Sequence, residues 1–295
     1  MEPGGELRQQ RPSRRRILAR RVVALLAVAF AVAGVAAAFT LRGSSHAAPP
    51  PDTTVRQLRQ FKILFPEGFT RAQMTARTEA VAKIAEREAH RKVKLSGKGY
   101  AAATRRPRVM PGFGSQKWAL EGFLFPDTYD FDRNSTSAQL VREQLQEFAA
   151  DWTKLNLSFA RSKNLTPYDV LTIASMIEGE AQVPSERPLV AAVIYNRLHR
   201  DMALGIDATL RYGLHIPPTQ SLTDSEIHSD NPYNTRFKPG LPPTPINNPG
   251  LASLEAAAHP ASVDYLYFVR KPDHKHHYFT ANYQDFVQHE HEYGY

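Results

Sequence analysis

The chain has 295 residues, with 37 lysines and arginines against 29 aspartates and glutamates, no cysteine, and a formal charge of +8. Seven arginines in residues 1–21 (Arg8, Arg11, Arg14, Arg15, Arg16, Arg20, Arg21) oppose only Glu2 and Glu6, so that segment carries +5 and leaves +3 for the rest. That distribution argues against a nucleic-acid groove, and without cysteine there are no disulfides, thiol nucleophiles or cysteine-held metals.

Residues 22–41 contain no charged side chain. At about 1.5 Å per residue, a helix of that length spans roughly 30 Å, the depth of a bilayer core. The arginines before it mark the cytoplasmic side, so the reading is a single-pass plasma-membrane anchor with the N-terminus inside and the body outside. A cleaved secretory signal is the alternative, kept open by the alanine-rich exit, although its apolar region is normally only about 7–15 residues. Either way the working part leaves the cytoplasm. The expected division is a basic tail over 1–21, a transmembrane helix over 22–41, a linker over 42–60 and a catalytic domain over 61–290.

Phe61 to Phe65 reads as a strand, followed by a turn at Pro66–Phe69. Thr70 and Gln73 form a capping box ahead of a helix over 74–89. Residues 91–114 are basic, glycine-rich and weakly patterned, and are expected to be a mobile loop. A short apolar strand is expected over 121–129. Leu140, Leu145, Phe148, Ala149 and Trp152 mark one face of a helix over 137–155.

Thr166-Pro167-Tyr168-Asp169 combines an N-cap, a first-turn proline and an acid, and starts a helix carrying Val170, Ile173, Ala174 and Ile177 on one side. Pro184 to Arg187 restarts the chain into a second helix with Leu189, Val190, Val193, Ile194 and Leu198 buried. Past residue 205 prolines and turn residues dominate, then a short helix over 253–259, a strand over 265–269 and a hairpin partner over 277–280. Helices and strands mix without βαβ alternation, which predicts an α+β fold.

The chemistry gathers where the apolar helix ends. Glu178 and Glu180 stand one glycine apart there, and an apolar wall raises a carboxyl pKa toward usefulness as a proton donor. On a continuous helix these side chains point about 200° apart, so joint action requires a break at Gly179. The alternative is a pair of solvated helix-end acids. That pair would be unfavourable at a helix C-terminus by about 0.3–1 kcal/mol.

The segment Ile173-Ala174-Ser175-Met176-Ile177-Glu178-Gly179-Glu180-Ala181 resembles the signature of the YceG/MltG family of endolytic murein transglycosylases. The resemblance continues through Ser185-Glu186-Arg187, residues 190–198, Asn231-Pro232-Tyr233-Asn234-Thr235, residues 240–246, Ala256 to Pro260 and residues 265–269. The segment from Glu121 to Tyr129 matches as well. It implies a cut between N-acetylmuramic acid and N-acetylglucosamine within glycan strands of peptidoglycan, leaving 1,6-anhydro ends and limiting chain length. Peptidoglycan strands and peptidoglycan synthases are the implied partners, and no cofactor or metal is implied.

The resemblance places catalysis on Glu180, with Glu178 in support. Asn196, Arg197, Asp207, Tyr233, Asn234 and Thr235 are the further candidates for support or substrate binding. For Tyr233-Asn234-Thr235, stacking on sugar stands beside an Asx-type turn with a packed tyrosine. For Arg197, an ion pair with an acid stands beside substrate contact. His259 reads as a packing or capping residue. His274, His276 and His277 lack metal-ligand spacing and read as a solvated hairpin tip, with residues 289–292 as a tail. The sequence departs from the family in having Gly179 where lysine is common, in its Asp207 segment, and in a truncated or absent LysM-like subdomain. The last two departures motivate the alternative of a non-catalytic glycan-binding or scaffold protein.

Overall fold

The computed structural model describes residues 59–295. The basic tail, the predicted spanning helix and nearly all of the linker lie outside the described residues. Among the described residues no helix is long and apolar enough to cross a membrane.

Strand β1 (Phe61–Leu64) opens the fold, and α1 (Arg71–Ala89) follows behind the expected Thr70–Gln73 capping box. The predicted mobile loop is instead α2 (Gly97–Arg105) and a small hairpin of β2 (Arg108–Val109) and β3 (Lys117–Trp118). Side chains with distant partners hold it. Ser96 caps α2 by accepting from the Gly99 amide at 3.1 Å, and the buried Tyr100 hydroxyl donates to Gln144 at 2.7 Å. Weak local patterning hid an element fixed by long-range contacts.

The strand expected over 121–129 lies later, as β4 (Thr128–Phe131), antiparallel to β1 with Phe61 opposite Phe131. Residues 121–127 turn instead of pairing, because the amides of Gly122 and Leu124 both donate to the Asn248 side chain at 2.9 Å. Helix α3 (Ser137–Trp152) then buries Leu140, Val141, Phe148 and Trp152. Phe113 from the corrected loop packs edge-on against Phe123 at 4.9 Å and against Trp152 at 4.6 Å.

After the short α4 (Ser158–Ser162), α5 (Pro167–Glu180) forms the rod of the domain. Every residue from Val170 to Ile177 is buried. Thr166 and Asp169 cap one another's backbone amides, worth about 1 kcal/mol at such a site. A 3-10 turn (Pro184–Glu186) leads into α6 (Arg187–His199), whose buried face packs on α5.

Two further helices replace expected turns: α7 (Asp207–Leu214) and α8 (Asp224–Ile227). Helix α9 (Leu251–Ala258) lies along α5. Strands β5 (Tyr267–Arg270) and β6 (His277–Thr280) form the expected hairpin, with Arg270 opposite His277. The tail predicted over 289–292 falls instead within α10 (Tyr283–Tyr293), capped by Asn282 and packed on that hairpin through Tyr278 stacked on His289 at 3.8 Å. Among the described residues, three two-stranded sheets set between helices make the fold α+β.

Candidate active site

The rod α5 does not break at Gly179; it runs on to Glu180, and Ala181 ends it in an extended conformation. The two acids therefore diverge as helical geometry requires. They have separate jobs.

Glu178 turns inward. Its Oε2 accepts from Ser253 Oγ at 2.7 Å and from the Gly250 amide at 3.2 Å, and its Oε1 lies 3.6 Å from Arg187. Only 8% of its side chain is exposed. A carboxylate at the N-terminus of α9 satisfies an otherwise unpaired amide and suits the helix dipole. Glu178 is thus the joint between α5, α6 and α9.

Glu180 opens on the other side into a cleft of about 1100 Å³. Burial raises its pKa above the usual carboxylate range, and the neighbouring Asp207 adds to that shift. Arg270, the Ala208 amide and Arg211 act in the opposite direction. The amide contact, at 3.4 Å, comes from the first turn of α7. Gly179 is a close-approach residue rather than a hinge: a Cβ there would lie 3.1 Å from that of Ala208.

Asp207 lines the cleft and pairs with Arg236, whose Nε donates to it at 2.9 Å. Tyr233, Asn234 and Thr235 do not form the expected sugar-reading edge. Asn234 is wholly buried and donates to the carbonyls of Ile227 and Ser229, both at 2.9 Å. Thr235 Oγ1 accepts from the Ile206 amide at 3.0 Å and so holds the entry to α7. The Tyr233 hydroxyl bonds Thr244 at 2.9 Å, and its ring meets Tyr212 edge-on. Backbone groups of a proline-bracketed loop need inward partners, and these side chains supply them.

Asn196 and Arg197 have similar roles. Asn196 donates to the carbonyls of Val263 and Tyr265, each at 2.9 Å. Arg197 donates to Leu266 at 2.6 Å and Leu204 at 2.7 Å, with its guanidinium over Tyr267. It faces the cleft, but carbonyls occupy it rather than the acid expected as its partner. His259 caps α9 with its backbone amide.

His277 is not solvated. It is buried, its Nδ1 lies 2.7 Å from Glu186, and burial lowers its pKa while Glu186 opposes that shift. Among the described residues no three acids or histidines gather as a metal site.

Glu121 is the site residue that periodicity concealed. It lies in the cleft wall, buried, where Oε1 accepts from the Arg71 amide at 2.8 Å and Asn248 Nδ2 at 2.9 Å. Its Oε2 accepts from the Tyr212 hydroxyl at 3.1 Å. Gly122, at φ +91° and with no room for a Cβ beside Pro245, lets the chain turn it inward. An acid amid apolar neighbours, Glu121 before Gly122 and Phe123, was the available signal.

Burial pushes Glu121 up to about 7 from its ordinary 4.5, against the pull of its hydrogen bonds. The native state therefore holds a proton that the unfolded chain gives up, and stability falls as pH rises between those values. The loss is about 3 kcal/mol. Glu121→Gln is expected to flatten this part of the profile. Thermal melts at pH 5 and pH 8 would check it, and equal pH sensitivity in both proteins would refute the assignment.

An apolar rod brings one carboxyl of this α+β domain into an open cleft and buries a second acid two residues before it. The chain belongs to the YceG-like family, whose profile matches residues 37–292. Over 157 residues it is 38% identical to a protein of Bacillus subtilis named endolytic murein transglycosylase, covering 52% of this chain and 43% of that one. A protein of the same name from Streptococcus pneumoniae is 35% identical over 175 residues, covering 57% and 31%. The matches thus span less than half the length of these curated relatives. The crystal structure of a YceG-like protein from Listeria monocytogenes aligns with a TM-score of 0.61 at 30% identity, covering 77% of this chain and 75% of that one.

Proposed function

We propose that this protein is an endolytic murein transglycosylase that cuts between N-acetylmuramic acid and N-acetylglucosamine within peptidoglycan strands. The observation carrying the reading is Glu180, which projects from an apolar helix into the cleft with its pKa raised. A carboxyl held protonated can donate to the glycosidic oxygen as the bond to C1 breaks. The resulting carboxylate then takes the proton from the muramic C6 hydroxyl as its oxygen closes on C1. The acid regains its proton, the leaving sugar carries the first one away, and no water is consumed.

In this reading Asp207 tunes the acid electrostatically, and Arg236 limits that effect by pairing with Asp207. Glu121 holds α7 in position through Tyr212. The cleft itself holds the glycan. Residues 22–41 anchor the domain beside the synthases whose strands it shortens.

The test is digestion of purified sacculi by the full chain in isotopically labelled water, followed by mass spectrometry. Anhydro-ended muropeptides without solvent oxygen are expected. Reducing ends carrying the label would replace this mechanism with hydrolysis, and uncut sacculi would leave the non-catalytic glycan-binding role. Membrane orientation is tested separately by adding protease to intact spheroplasts. Loss of the catalytic domain with a small protected fragment is expected, and survival of the domain beside a digested external control would reverse the topology.

A further inference from the structure

Five arginines line the cleft, and four have partners. Arg71 donates to the Thr104 carbonyl at 3.4 Å, Arg197 to Leu266 and Leu204, Arg211 to Pro217 at 3.2 Å, and Arg236 to Asp207. The fifth, Arg270, stands at the end of β5 opposite His277. Its guanidinium has no hydrogen-bond or ion-pair partner among the described residues, although the residue is half-buried. Partial desolvation of an unanswered cation is unfavourable unless something else supplies the anion.

None of the acids lining the cleft pairs with Arg270 among the described residues. Burial keeps Glu121 and Glu180 toward their neutral forms, and Asp207 is already paired. Glu290 also lines the cleft, but the cation acting on it is Arg236. Arg270 sits on a strand, which fixes where its side chain starts, and a planar guanidinium matches a carboxylate through two parallel donors.

We propose that Arg270 binds a carboxylate carried by the muramic acid side of the substrate, an inference that rests on the transglycosylase reading above. A muramic residue bears a lactyl group that ends either in a free carboxylate or in an amide-linked peptide with carboxylates of its own. A strand built only of N-acetylglucosamine has neither. Arg270 therefore gives the cleft a means of telling a muramic strand from a neutral one. Anion docking there also offsets a cation that favours the ionised form of Glu180, so the same contact that selects the substrate reinforces the proton donor.

The experiment measures binding rather than turnover. Full-length wild type, Arg270→Ala and Arg270→Lys are titrated with short N-acetylglucosamine–muramic acid oligosaccharides in three forms. One has free lactyl carboxylates, one carries stem peptides, and one has the lactyl carboxylate capped as a methylamide. Wild type is expected to favour at least one carboxylated form over the methylamide by about tenfold, the scale of one charge-assisted contact. Arg270→Ala should erase that preference, and Arg270→Lys should keep part of it. The form whose affinity falls identifies the carboxylate.

Unchanged ratios in Arg270→Ala would overturn the proposal, as would equal loss for all three forms or no preference in wild type. A wild type that shows the preference yet leaves sacculi uncut would overturn the transglycosylase reading alone. Cut sacculi without the preference would overturn only the role of Arg270.

Discussion

Glu180→Gln is expected to lower the formation of anhydro ends by about 10²–10⁴-fold, the scale of losing general acid–base catalysis. The amide keeps the size of the side chain and can still accept from the Ala208 amide, but it has no proton to give the leaving oxygen. Stability should be retained or improved. Burial and Asp207 raise the pKa of Glu180 in the folded protein, so the native state keeps its proton to higher pH than the unfolded chain. Stability due to that group is full below the ordinary value and is lost as pH rises through the raised one. The glutamine variant should therefore gain on wild type as pH increases. Muropeptide analysis and thermal melts on the same preparations read both effects, and full activity in Glu180→Gln would end the mechanism.

What the sequence made visible follows from how local the signals were. The capping boxes at Thr70 and Thr166 place their helix starts because each cap acts within three residues. The apolar run before Glu178 marks the rod because helical burial repeats along the chain. The α+β class and the hairpin after residue 265 are legible for similar reasons. The misses share another cause. Helix α7 has only eight residues and no side-chain cap at Ile206, and the placement of Gly97–Arg105 depends on Gln144 and Ser137, far along the chain.

The site divides in the same manner. The helix explains why Glu178 and Glu180 part, since residues two apart cannot share a face. Reading Gly179 as a break gave a conformational role to a residue that stays helical beside α7. Asn234 and Thr235 have the residue types that read sugars, but the same hydrogen-bonding capacity serves buried backbone equally well. Asn248 is the opposite case. It accepts from Gly122 and Leu124 and donates to Glu121 and Phe69, yet these partners lie more than a hundred residues away. No spacing rule within the chain could have found it.

Glu178→Ala should have the larger effect on stability, lowering it by about 3–5 kcal/mol, as when one member of a buried charge pair is removed. The change leaves Arg187 without its buried acid, strips the Gly250 amide of its acceptor, and frees Ser253 Oγ at the start of α9. Arg187 is only 12% exposed, and its Nε already lacks a partner among the described residues. Its other acid, Glu67, stands 3.7 Å away and is half-exposed, so it cannot fully replace the lost contact. Glu178→Gln should cost less, because one oxygen can still accept from Ser253 or Gly250 while the charge opposite Arg187 is gone. Denaturant melts of the full chain in detergent would order the variants as wild type, Glu178→Gln, then Glu178→Ala, with activity falling in step with the folded fraction. A Glu178→Ala protein as stable as wild type but inactive would move Glu178 from the scaffold into the chemistry.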